Sequence, residues 1–181
     1  MTNKFILIFA LILGYAPLTF GQQHQLSAEQ KADKMVASRI WQPFPLNTVY
    51  PVVGKDNYDF SKHQKPIFLY VGQKSCIICS YEFPTYAALA KSFPEIDFVY
   101  LTPDDMADIN KKFGPNIKTP NLFVIQISMN ELWQKDIAKV FPVKYFIDPN
   151  NMVVDAATGG TLKDRPALKA RWTKKLNELL K

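Results

Sequence analysis

A chain of 181 residues, 48% hydrophobic and 21% charged, can build one globular domain with a real core and is too short for two ordinary ones. Its formal net charge is +6, but the Lys and Arg residues are scattered and form no run interleaved with aromatics, so nothing points to nucleic acid.

Residues 1–21 read as a secretory signal peptide. Lys4 supplies a positive n-region, Phe5 to Tyr15 is almost wholly apolar, and Thr19-Phe20-Gly21 offers small residues at the positions a signal peptidase reads. The apolar run is short for a spanning helix and no stop-transfer pattern follows, which leaves an uncleaved anchor as the rival. No cysteine near the cleavage site marks a lipid anchor. The expected product is exported, periplasmic or otherwise, with no membrane insertion after cleavage.

Ser27 and Gln30 have the spacing of a capping box, which predicts a short, loosely attached helix from Ala28 to Ile40. Three prolines in 41–51 predict an extended approach, and Val52 to Tyr58 two short strands around a turn at Gly54. Pro66 to Val71 is apolar on both faces, as suits the centre of a sheet covered on both sides. Helical spacing runs from Ile77 to Phe93, with Tyr81, Leu89 and Phe93 on one face, and Asp97 to Leu101 is the next strand. Pro103 before Asp104-Asp105 predicts a helix reaching about Phe113. Asn121 to Ile127 is a further strand, and Asn130 to Lys139 a short helix. Lys144 to Ile147, the turn Asp148-Pro149-Asn150-Asn151 and Met152 to Ala156 form a hairpin. After Gly159-Gly160, Leu162 to Leu180 is an amphipathic helix with Leu168, Trp172, Leu176 and Leu179 inward. The alternation predicts an α/β architecture with a mixed sheet.

The only cysteines, Cys76 and Cys79, stand at the junction of the central strand and the helix after it. A disulfide between them closes a loop too small to stabilise the chain much, so a structural staple explains the pair poorly. A thiolate at Cys76 faces unpaired N–H groups and the positive end of the helix dipole, and Lys74 would add to that field. Cys79, one turn on, could attack a mixed disulfide on Cys76, the division of labour that thiol–disulfide exchange uses. Glu82 lies on roughly the same face as Cys79; buried, it would take up the proton Cys79 loses, whereas solvated it would be an ordinary helix glutamate. Pro84 should kink the helix.

The stretch Cys-Ile-Ile-Cys-Ser-Tyr-Glu-Phe-Pro, 76–84, resembles the C-x-x-C-x-x-E-x-P pattern of the TlpA/ResA-type thioredoxin-like family, exported thiol–disulfide oxidoreductases. The resemblance implies a thioredoxin-like fold, a central mixed sheet flanked by helices, carrying an N-terminal extension and a central strand–helix insert between Asn121 and Lys139. With the signal peptide at 1–21 and the helical extension at 22–42, it implies a thioredoxin-like domain over 43–181. Cys76 would be the nucleophile, Cys79 the resolving thiol, Glu82 the buried carboxyl that tunes them, and Pro84 the source of a kink. Val140 to Asp148 is similar to the loop and strand where the family sets a cis-proline against the cysteines, which would be Pro142. The implied partners are disulfide-containing or dithiol client proteins and an upstream redox partner. The expected protein is a monomer with no cofactor, no metal, no nucleic acid and a reducing direction; some family members serve cytochrome c maturation. Three positions depart from the pattern: Ser75 replaces a frequent aromatic, Ile77-Ile78 fills the space between the cysteines, and Val143 stands where threonine is frequent.

The rival is a copper(I) chaperone using the same two cysteines. A closed zinc site wants four ligands, and His24 and His63 lie far apart and look like exposed loop residues. Trp41, Trp133 and Trp172 are spread out and expected to pack in the core or on the surface rather than form a nucleic-acid stacking platform, and Asp104-Asp105-Asp108 is expected to be a solvated helix start.

Overall fold

In chain order, residues 26–181, those the computed structural model describes, form α1 (Ala28–Ala37), β1 (Val49–Tyr50), β2 (Tyr58–Asp59), β3 (Ile67–Val71), α2 (Ile77–Ser92), β4 (Asp97–Thr102), α3 (Met106–Ile117), β5 (Leu122–Gln126), α4 (Met129–Gln134), β6 (Val143–Ile147), β7 (Val153–Thr158) and α5 (Arg165–Leu179). The signal-peptide reading of 1–21 and the start of the 22–42 extension lie outside the described residues.

Five strands pair in the order β5-β4-β3-β6-β7, with β3, β4 and β5 parallel and β6 antiparallel to both of its neighbours. Every residue of β3 is buried, because side chains alternate across a central strand and both faces are covered. Ile67, Leu69 and Val71 enter one core with Val36, Phe44, Val99 and Tyr145. Phe68 and Tyr70 enter the other, with Cys79 and Tyr86 of α2, Ile109 of α3 and Leu168, Trp172 and Leu176 of α5. There Phe68 stacks on Phe146 at 4.5 Å and meets Tyr86, Phe98 and Trp172 edge-on. The parallel β3–β4 pair needs a crossover, and α2 supplies it. Its register, Val71 opposite both Leu101 and Val143, sets the start of α2 beside the start of β6.

The expected elements are present, with shifted ends. The capping box forms, but α1 stops at Ala37. It is not loosely attached: Ala32 and Val36 are buried, and the Trp41 and Phe44 N–H groups donate to the Val153 and Asn151 carbonyls at 2.7 and 2.8 Å. The first hairpin falls at β1–β2, and Val52 makes only a single bridge to Ile125. Pro103 does not open α3; the Asp105 side chain caps it by accepting the Ala107 N–H at 2.7 Å, and buried Ile109 and Ile117 carry the helix beyond Phe113. Helix α4 starts from Ser128 and ends early, where Asp136 takes a left-handed φ of 49°. Helix α5 begins at Arg165, capped by Asp164, and Leu168, Trp172 and Leu176 face inward as expected, with Leu179 half-buried. Trp172 packs in the core, and Trp41 and Trp133 lie on the surface. No described helix is long and apolar enough to cross a membrane.

Candidate active site

Strand β3 hands over to α2 through a tight turn. Gly72 is required there, since a Cβ would come within 2.5 Å of the Tyr100 hydroxyl oxygen. The Cys76 N–H then donates to the Gln73 carbonyl, and extended backbone at Cys76 makes it the N-cap of α2. Its Sγ accepts the Cys79 N–H at 3.1 Å, the bond a serine or aspartate oxygen makes at an ordinary cap. A sulfur in this place sits in the field of the unpaired N–H groups of the first turn, and no acidic side chain in that turn opposes it.

Cys76 and Cys79 are joined in a disulfide with their Cα atoms 5.2 Å apart. Cys76 is partly exposed, whereas Cys79 is 0% exposed within the α2–α5 core. Only one of the two sulfurs is therefore open to a partner molecule. Lys74 is engaged by the acidic start of α3. Its Nζ pairs with Asp108 and its N–H donates to the Asp104 carboxylate. The acidic start of α3 is thus not merely solvated: Asp104 and Asp108 hold Lys74, and Asp105 caps the helix.

Glu82 is 0% exposed. The Tyr70 hydroxyl donates to its Oε2 at 2.9 Å, the Thr161 N–H donates to its Oε1 at 3.2 Å, and the Lys144 ammonium lies 3.0 Å from Oε2. The same ammonium donates to the Gly159 carbonyl. Burial pushes Lys144 below the usual lysine range, and the Glu82 carboxylate pulls it partly back. Pro84 sits inside α2 with no N–H to offer Ser80. The Phe141–Pro142 peptide is cis, and buried Pro142 precedes Val143, the partner of Val71. Register thus brings Pro142 to the sheet end from which the Cys76 turn departs. The Pro142 carbonyl accepts the Gly159 N–H at 2.8 Å, linking the proline loop to the turn over Glu82.

Sequence reasoning missed Lys144, Tyr70 and the Gly159–Thr161 turn. One signal was present: a lone lysine within the apolar strand VKYFI, at a position facing neither an edge nor a loop. Lys144 pairs directly with Tyr70 across β3–β6, and that register points both side chains at the α2 side. His63 is half-buried rather than exposed, with Nδ1 3.0 Å from the Lys65 carbonyl. Among the described residues, no three of the His, Cys, Asp and Glu side chains gather into a metal-binding group.

Several solved structures share this architecture. A thiol:disulfide interchange protein of the thioredoxin family from Chlorobium tepidum superposes with a TM-score of 0.62 at 15% identity, over 77% of this chain and 98% of that one. A secreted Mycobacterium tuberculosis disulfide oxidoreductase homologous to E. coli DsbE gives 0.58 at 16% identity, over 72% and 97%. The exposed lipoprotein thioredoxin of Streptococcus pneumoniae gives 0.58 at 19% identity, over 72% and 98%. At such identities the likeness shows the fold, and the fold is thioredoxin-like. No family model matches the chain, and no curated protein does.

Proposed function

We propose that this protein is an exported thiol–disulfide oxidoreductase that reduces disulfides in client proteins. The observation that carries the reading is the asymmetry of the pair: Cys76 is partly exposed at a helix N-cap, and Cys79 is buried one turn behind it. In the dithiol form, the Cys76 thiolate attacks a client sulfur; the client S–S bond breaks, and the released client thiolate takes a proton from solvent. Cys79 then loses its proton and attacks Cys76 Sγ. The Cys76–client bond breaks, and its electron pair leaves on the second client sulfur, which is protonated in turn. Two electrons have passed to the client, and an upstream dithiol partner returns them. The Phe141 backbone before Pro142 offers an extended client segment a place to pair beside Cys76. Export is supported by the sequence of residues 1–21, and the reducing direction by the family pattern at 76–84.

Trapping tests the roles. Cys79→Ala protein should accumulate mixed disulfides with glutathione or clients through Cys76, and Cys76→Ala should not. The reverse outcome would exchange the assignments. A reduced pair that traps nothing but holds copper(I) through both sulfurs would overturn the reading in favour of metal carriage. The potential of the pair gives the direction: a value near about −270 mV supports a reductant, and one near about −120 mV an oxidant.

A further inference from the structure

Among the described residues, Lys144 and Glu82 form a buried ion pair whose partners come from different walls of the core. Lys144, from β6, has a side chain 4% exposed, and Glu82, from α2, one 0% exposed. A buried pair of this kind seldom gains on a well-packed apolar pair, because two charges must leave water. The rest of β6 is Val143, Tyr145, Phe146 and Ile147, all buried, so an apolar residue at 144 would suit the strand better. The pair is nonetheless completely framed. Tyr70 of β3 and the Thr161 N–H donate to Glu82, and the Gly159 carbonyl accepts from Lys144. From α5, the Trp172 ring lies 5.8 Å from the ammonium, and Arg171 contributes a like charge. The Tyr70 ring lies 5.4 Å from it on the β3 side. Among the groups facing Glu82, Lys144 is the cation.

Resting on the proposed thiol exchange, we propose that Lys144 is a positioning residue for the resolving step: it holds Glu82 as a carboxylate one helical turn from Cys79, and Glu82 accepts the Cys79 proton. As the Cys79 sulfur attacks Cys76 Sγ, its proton passes to Glu82, the new S–S bond forms, and the client leaves as a thiolate. Glu82 then returns the proton to solvent past Gly160, which packs on the carboxylate and is itself exposed. Without the ammonium, Glu82 would be a buried charge left with the Tyr70 hydroxyl and one N–H as partners, an arrangement that is strongly destabilising and that the site would not keep as a proton acceptor. Lys144 stands two positions after Pro142, and the Gly159 turn bonds to both. The residue paired with Glu82 is therefore tied, through the Gly159 turn, to the loop that would meet the client.

An aromatic disulfide that releases a coloured thiolate reads the step without any protein client. Its first release reports attack by Cys76 and its second the resolving attack by Cys79. In wild-type protein the second rate should stay nearly flat from about pH 6 to about pH 8. In Lys144→Met it should fall about a hundredfold at neutral pH and climb about tenfold per pH unit, as an unassisted thiol does. Lys144→Arg should restore the flat profile, and the first release should be unchanged throughout. The double variant Glu82→Gln/Lys144→Met buries no charge and covers the case in which Lys144→Met does not fold. It should match Glu82→Gln alone, because Lys144 acts only through Glu82. A wild-type profile in Lys144→Met or in the double variant, or a double variant unlike Glu82→Gln, overturns the inference. Failure to trap clients sinks the thiol-exchange reading alone, since the coloured disulfide needs none.

Discussion

Gly160 lies so close over Glu82 that a Cβ on the glycine would stand 2.8 Å from the carboxyl carbon and 2.5 Å from Ile78 Cγ2. The Thr161 N–H that bonds Glu82 belongs to the next residue, so displacing Gly160 also displaces a donor. Gly159 needs glycine for a different reason: its φ is +62°, with open space around a Cβ.

The two glycines therefore make different predictions. Gly160→Ala should cost about 1–3 kcal/mol by overpacking and should also change the pH profile of the Cys79 reaction. Gly159→Ala should cost about 1–2 kcal/mol through the left-handed backbone and leave that profile alone. Denaturant melts and the second-thiol release measure the two effects separately. A Gly160→Ala protein as stable as wild type, with an unchanged profile, would show that the turn does not press on Glu82.

Asp97, at the head of β4, gives a prediction in pH. Burial raises its carboxyl above the usual range, while the Tyr58 hydroxyl at 3.1 Å and the charges of Lys65, His63 and Lys55 pull it partly back. An acid with a raised folded pKa binds more protons folded than unfolded. Stability therefore falls as pH rises from the ordinary carboxylate range through the folded value, and stays reduced above it. Asp97→Asn keeps a carbonyl acceptor for Tyr58 and removes the charge. It should melt higher than wild type at neutral pH, and the gap should close as the pH approaches the ordinary carboxylate range. An Asn variant less stable than wild type at neutral pH would contradict this.

Much of the scaffold was legible because its signals are local. The apolar run at Ile67–Val71, closed by Gly72, suits a strand covered on both faces, and Ser27 with Gln30 marks the start of α1. Element ends were less legible where two signals compete. Pro103 and Asp105 each announce a helix start, and a side chain that reaches the Ala107 N–H prevails over a fixed φ. At the candidate site, the motif 76–84 names Cys76, Cys79 and Glu82, since successive turns at the start of one helix place all three. Lys144 and Gly160 were out of reach. Their contacts with Glu82 exist only once β6 has paired with β3 and the chain beyond β7 has folded back over α2. A lysine in an apolar strand announces a buried partner but not which one.

Lys74 supplies the last prediction, on the electrostatics of Cys76. Two residues before the N-cap, its ammonium would help hold a thiolate if its charge were open toward Cys76. It is engaged elsewhere: Asp108 holds the ammonium above the usual lysine range, and the Asp104 carboxylate takes the backbone N–H. A cation paired with an anion presents Cys76 with little net field, and with side chains 51% and 46% exposed the remainder is screened by salt. Lys74→Ala should therefore change the rate of the first thiolate release less than about twofold, because the helix N-terminus supplies most of the thiolate stabilisation. Asp108→Asn should do more. It leaves the ammonium without its main partner, raises the thiolate fraction of Cys76 at neutral pH, and should speed the first release about two- to fivefold at low ionic strength. At about 1 M salt, where charges are screened beyond about 3 Å, the gain should vanish. The rate of first release at the two salt concentrations is the measurement. A large loss in Lys74→Ala, with no response in Asp108→Asn, would mean that Lys74 acts on Cys76 despite the ion pair.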